Sequence, residues 1–161
     1  MVTTKREIQT KEDSRTTSTP SPEVVFRAIM LASKKMPHFF DKVLEEVDLR
    51  LTEFRVLQRL SEMGPTPMAK LSDETLVTKA AVTAITDEME QKGLVKRVRE
   101  PTDRRIIKVE MTPAGSRLYA LAKQRHEAII ARIISLLDPD EIKVLLRSYE
   151  KLNKFIDQES V

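Results

Sequence analysis

The densest chemistry in this sequence is cationic. Within residues 92–108 stand seven basic residues, Lys92, Lys96, Arg97, Arg99, Arg104, Arg105 and Lys108, against two acids, Glu100 and Asp103. That is a local balance of +5 in a chain whose formal net charge is +3. Guanidinium and ammonium groups at this density suit phosphate, through charge-assisted hydrogen bonds and release of counterions from a nucleic-acid backbone. The stretch just before is unlike it. Ala80, Thr83, Ala84, Asp87 and Gln91 recur at helical spacing on a face that would ordinarily carry long charged side chains, so something can approach that face closely. A small-faced helix followed by a basic ribbon suits a helix in the major groove and a loop over the neighbouring backbone or minor groove. From charge alone, a solvated Lys/Arg-rich hairpin is an equal reading.

Other chemistries lack their residues. With no cysteine there is no disulfide, thiol sensor or thiolate metal site. His38 and His126 lie far apart without metal-ligand spacing, and Gly64, Gly93 and Gly115 are the only glycines, too few for a phosphate-cradling loop. Carboxylates sit among Lys and Arg at helical spacing, as on a solvated surface. No catalytic residue, metal or cofactor is therefore expected, and an enzyme is disfavoured. No run approaches the ~18 apolar residues of a membrane span, and the polar N-terminus lacks the apolar centre of a signal peptide. The expectation is a cytoplasmic protein with no membrane partner.

The elements that must position these residues are legible in outline. From Thr78, the residues Val82, Ile85 and Met89 form one apolar stripe. Gly93 falls where a left-handed helix stop belongs, and two β-branched runs, 94–99 and 106–111, flank a charged loop at 100–105. Helix starts are expected at Ser21-Pro22, Thr52-Glu53, Thr66-Pro67, Thr112-Pro113 and Asp138-Pro139, because a hydroxyl or carboxylate caps free amides while proline tolerates the first helical position. The first helix should be kinked or interrupted at Pro37 and continue to about residue 47. Residues 1–20 are polar and should form a flexible tail, either solvated or touching phosphates through Lys5, Arg6, Lys11 and Arg15. The remaining 21–161 form one domain. The expected fold is mainly α with a small β-hairpin wing: a winged helix-turn-helix lobe over about 48–112, with terminal helices at about 21–47 and 113–157. Those helices hold more apolar surface than a small lobe can cover, so an intersubunit interface is expected; a monomer pairing its first and last helices is the alternative.

Three strings, LTEFRVLQRL (51–60), LVTKAAVTAITDEMEQKGLVKR (76–97) and TDRRIIKVEMTPAG (102–115), together with their order, resemble the MarR family of winged helix-turn-helix regulators. The resemblance spans roughly residues 22–156. It implies a homodimer joined by its terminal helices, with recognition helices in successive major grooves of a near-palindromic double-stranded DNA site, about 34 Å apart. On this resemblance Thr78 caps the recognition helix, and Lys79, Ala80, Thr83 and Ala84 lie where base edges are read. Arg97 and Arg99 belong to the wing. One of Arg104 and Arg105 enters the minor groove while Asp103 holds the other. The same contacts serve a repressor or an activator.

Two departures bear on specificity. Ala80 and Ala84 can touch a thymine methyl but cannot read guanine, which shifts binding towards phosphate contacts and groove shape. Leu76 stands where a glycine is often found in the turn. Many relatives are released from DNA by a small aromatic or phenolic effector, and the residues expected to line such a cleft are Arg27, Lys34, Phe39, Phe40 and Tyr119; plain core is the competing role for the two phenylalanines. The competing function for the whole chain is a winged-helix protein-interaction module that presents the same surface to an acidic partner.

Overall fold

The computed structural model describes residues 20–75, 78–100, 103 and 105–159, apart from the side chain of Glu74. The expected tail, Leu76 and Arg104 lie outside them. Among the described residues, six helices and three short strands follow in the order α1 (Pro22–Glu45), α2 (Leu51–Met63), β1 (Thr66–Pro67), α3 (Met68–Thr75), α4 (Lys79–Gln91), β2 (Val95–Arg99), β3 (Ile107–Met111), α5 (Pro113–Ile134) and α6 (Pro139–Glu159). The chain divides between Lys35 and Met36, inside α1, into two compact units. In the first, Val24, Phe26, Met30 and Leu31 are exposed. In the second, the core gathers Leu44, Phe54, Val56, Leu57, Leu71, Val82, Met89, Val95, Val109 and Ala122. Among the described residues no helix is long and apolar enough to cross a membrane.

Three expected starts hold, a fourth is met one residue late, and the fifth is not the cap. Ser21 precedes α1, Thr112 accepts the Gly115 amide at 3.1 Å, and Asp138 and Glu141 exchange backbone-to-carboxylate bonds at 2.8 and 2.9 Å in a reciprocal capping box. Thr52, by contrast, is inside α2. The cap position is Arg50, whose amide goes to Glu53 Oε2 at 2.7 Å, while Asp41 takes the Leu51 amide at 2.7 Å. Thr66-Pro67 is itself a short strand and the expected helix, α3, begins directly after it at Met68; Thr66 pairs with Val109 and Pro67 with Lys108, so the hairpin becomes a three-stranded sheet of order β1-β3-β2. An edge strand tolerates the proline because its missing amide costs no ladder bond on the outer side. Nor is α1 interrupted at Pro37, which lies within a helix running to Glu45. A proline forgoes one i→i−4 bond, and the flanking turns sustain the rest.

The wing is anchored by helix ends. After α4, the Gly93 amide bonds to Glu90 O at 3.0 Å and the Leu94 amide to Met89 O at 2.9 Å, with Gly93 at φ +70°, a full Schellman stop that turns the chain into β2. Val95 then pairs with Met111 and Arg99 with Ile107. At the hairpin's root the Thr112 amide and hydroxyl meet the Leu94 carbonyl at 3.0 and 3.1 Å. The first turn of α5 crosses that carbonyl so closely that a Cβ on Gly115 would stand 2.1 Å from it. Gly115→Ala should therefore lower the melting temperature, with a destabilisation of about 1–3 kcal/mol from forced backbone movement; a calorimetric scan unchanged from wild type would show that this contact constrains nothing.

Aromatic rings form the seam between the ends of α1, α2 and α5. Phe39 meets Phe40 edge-on at 5.6 Å, His126 lies against Phe40 at 4.7 Å and Phe54 at 4.6 Å, and Tyr119 closes the row on Phe54 at 5.6 Å. Burial pushes the His126 pKa below its ordinary 6.5, against an opposing pull from Glu127 and with a smaller push from Arg55. The unfolded chain then binds this proton more readily than the folded one, so His126 makes stability fall as pH drops below about 6.5. Thermal melts between pH 7.5 and 5 should show a steeper loss for wild type than for His126→Leu; parallel curves would remove His126 as the cause.

Candidate nucleic-acid interface

Helix α4 divides its surface as its spacing demands. Val82, Thr86 and Met89 are buried, whereas Lys79, Ala80, Thr83, Ala84, Asp87 and Gln91 are exposed. Thr78 is the N-cap: its Oγ1 accepts the Ala81 amide at 3.2 Å and its carbonyl accepts the Val82 amide at 2.9 Å. The remaining first-turn amides and the positive end of the helix dipole thus face outward beside Lys79, a geometry that favours an anion such as phosphate. Thr83 is exposed, but its hydroxyl donates to Lys79 O at 3.0 Å. With its proton used, that hydroxyl offers lone pairs to an incoming donor.

The wing spends much of its positive charge on itself. Lys96 pairs with Glu110 at 3.0 Å and Lys108 with Glu100. Arg97 places Nη1 2.7 Å from both Asp87 and Glu90 of α4, and its amide donates to Glu90 Oε1 at 2.9 Å. Partial burial works against its charge, but the hydrogen bonds and fields of Asp87 and Glu90 outweigh this and hold its pKa above the ordinary value. Arg97 is therefore a brace between α4 and β2. Arg99 is exposed at the far end of β2. In the loop, Asp103 Oδ1 accepts both the amide of Arg105, at 3.0 Å, and its Nε, at 3.3 Å. The Arg105 side chain is nonetheless 93% exposed, with its terminal guanidinium nitrogens beyond the contact.

Two positioning residues are absent from the sequence-based expectations. Glu53 is 1% exposed and receives Lys92 Nζ at 3.0 Å as well as the Arg50 amide, which ties the start of α2 to the end of α4. Arg50 in turn reaches Glu88 on α4 at 3.3 Å. The capping-box interval between positions 50 and 53 is the local signal for Glu53; nothing local points to Lys92.

The five residues expected around an effector are placed differently from one another. Phe40 and Tyr119 are buried, 8% and 9% exposed, as members of the aromatic row, so core is their structural role. Phe39 is exposed at the end of that row. Arg27 and Lys34 are exposed on the part of α1 in the first unit. A cleft of about 250 Å³ opens beside the row, lined by Met36, Phe40, His126, Ile130, Ile133 and Ile134. Among the described residues no group of three or more His, Asp or Glu is arranged to hold a metal ion.

Comparison with known proteins accords with this geometry. Residues 49–107, from the end of the α1–α2 turn to the first residue of β3, match the model of the MarR family. The HTH-type transcriptional regulator MhqR of Bacillus subtilis is 30% identical over 120 residues, covering 74% of this chain and 83% of that protein. Among solved structures, the transcriptional regulator BldR of Sulfolobus solfataricus superposes with a TM-score of 0.71 at 30% identity, over 84% of this chain and 94% of BldR. A mutant MarR from E. coli, solved in complex with operator DNA, shares the fold with a TM-score of 0.73 at 22% identity, over 80% and 93% of the two chains. The three-stranded wing, the capped small-faced helix and these likenesses agree: the chain belongs to the MarR family of helix-turn-helix transcriptional regulators.

Proposed function

We propose that this regulator is a cytoplasmic, non-enzymatic homodimer that binds a near-palindromic operator, with α4 in the major groove and the wing over the adjacent minor groove. The carrying observation is the juxtaposition in one lobe of a capped helix with a small exposed face and a loop that projects Arg105. Asp103 holds Arg105 through Nε and leaves the planar fork outward, so that holding and groove entry fall on one arginine rather than being divided between two, and Arg105 suits the minor groove, where narrow A·T-rich stretches attract arginine. Lys79 and the α4 amides meet phosphate, Ala80 and Ala84 allow close approach, and Thr83 accepts from adenine N6 or cytosine N4. The MarR structure with operator DNA supports this use of the fold.

Dimerisation is supported by apolar surface that the second unit leaves uncovered. On α6, Val144, Leu145, Leu146, Tyr149, Leu152 and Phe155 are all exposed, and none of the helix's described residues is buried. A charged face bears on solubility; this one needs a partner. Release by a small aromatic effector belongs to the same reading, and the apolar cleft beside His126 offers ring contact to such a molecule.

A footprint and gel-shift titration on DNA upstream of the protein's own coding region, at two salt concentrations, tests the function. A dyad-symmetric protected stretch with steeply salt-dependent affinity is expected; equal, weak binding to unrelated DNA would favour the protein-interaction module instead. Arg104→Ala combined with Arg105→Ala should weaken operator binding by roughly 2–5 kcal/mol while the fold persists, and unaltered affinity at moderate salt would take the wing out of the mechanism. Leu145→Glu with Leu152→Glu should yield a folded monomer in sedimentation and lose cooperative occupancy of both half-sites; a dimer of undiminished strength would place the interface elsewhere.

A further inference from the structure

We infer that Arg97 is a positioning residue for operator binding: it neutralises Asp87 on the groove side of α4 and Glu90 on its flank, and locks that helix to the wing without itself touching DNA. This rests on the reading of α4 as the recognition helix. Asp87 lies on the same exposed face as Ala80 and Ala84, seven and three residues earlier, so its carboxylate is carried towards whatever those alanines approach. A bare carboxylate there repels phosphate. The problem is compounded by position, because Asp87, Glu88 and Glu90 all cluster at the C-terminal end of α4, where the helix dipole is already negative.

Each of those acids is met by an arginine from outside the helix. Arg50 takes Glu88, and Arg97 takes the other two. Arg97 is only 25% exposed, against 93% for Arg105. Its amide is bound to Glu90 as well, so side chain and backbone together fix β2 against α4. Turning the Arg97 guanidinium towards phosphate would break both carboxylate contacts and leave two negative charges at the interface for one cation gained. The arrangement is therefore most favourable when Arg97 stays on α4. The angle between the major-groove helix and the minor-groove loop is then held by this contact.

The test uses the full chain and the operator fragment found by footprinting. Four proteins are compared: wild type, Arg97→Ala, the pair Asp87→Asn with Glu90→Gln, and all three changes together. Arg97→Ala should weaken binding about tenfold or more at low salt, with the deficit shrinking as ionic strength rises. The triple variant should recover to within about threefold of wild type, since removing the carboxylates removes what Arg97 masks. The carboxylate pair alone should bind at least as tightly as wild type. If the triple variant stays as weak as Arg97→Ala while the carboxylate pair binds at least as tightly as wild type, the lost cation itself met DNA and the inference is overturned. A carboxylate pair weaker than wild type would show that these charges do not oppose binding, and overturns it as well. Should Arg97→Ala fail to fold, Arg97→Gln replaces it in the single and the triple variant. Absence of selective binding by the wild-type protein would overturn the operator reading itself, a result distinct from a well-binding wild type whose triple variant does not recover.

Discussion

The Leu94 carbonyl is the point on which the lobe's geometry depends. It receives the amide and hydroxyl of Thr112, lies one residue beyond the Schellman stop of α4, and is overridden by the first turn of α5 at a distance only a glycine permits. A helix end, a strand start, a strand end and a helix start are thus fixed within a few ångströms of one another. The angle of α4 to the wing and of the wing to α5 cannot be altered separately. A buried carbonyl that kept neither bond would also cost the lobe on the order of 1–3 kcal/mol, which makes the junction resistant to opening.

Around that junction, charge is arranged for orientation more than for accumulation. The basic stretch looks like a reservoir of free cations, yet Lys92, Lys96, Arg97, Arg105 and Lys108 all have carboxylate partners. Most of these pairs are partly exposed, where an ion pair contributes little to stability. Their effect is to hold side chains in one place. Glu53 differs from the others: a buried carboxylate must be satisfied, and it is, by the Arg50 amide and the Lys92 ammonium. Helix α4 is therefore held at its C-terminal end from both sides, through Lys92 and Arg50 towards α2 and through Arg97 towards β2, while its N-terminal end carries the exposed small face. A rigid helix with one open end presents its contacts at little ordering cost on binding.

The aromatic row joins this lobe to the helices that surround it. His126, whose charged form burial disfavours, packs as a ring between Phe40 and Phe54. An apolar cleft opens beside that ring, lined also by Met36, Ile130, Ile133 and Ile134.

Much of the fold is legible in the residues themselves. The stripe Val82, Ile85, Met89, the stop at Gly93, the two strands and the caps at Thr78, Thr112 and Asp138 are all local signals, set by periodicity and by hydrogen bonds spanning three or four residues. The departures are of a different kind. Thr66-Pro67 has the local form of a helix start, and α3 does begin at Met68, but the two residues themselves are a strand because Val109, the buried partner of Thr66, lies in a strand more than forty residues away. Thr52 has the hydroxyl of a cap, whereas Glu53 and Asp41 already satisfy the first amides. Arg97 is recognisable as a cation but not as a paired one, since its spacing from Asp87 and Glu90 becomes a contact only when the chain reverses at Gly93. Sequence alone thus determined the helices, the turn and the basic ribbon, because each follows from interactions between near neighbours. Only the tertiary structure decided which charges face outward and which hold the helix in place, because that depends on partners as much as 39 residues apart that folding alone brings together.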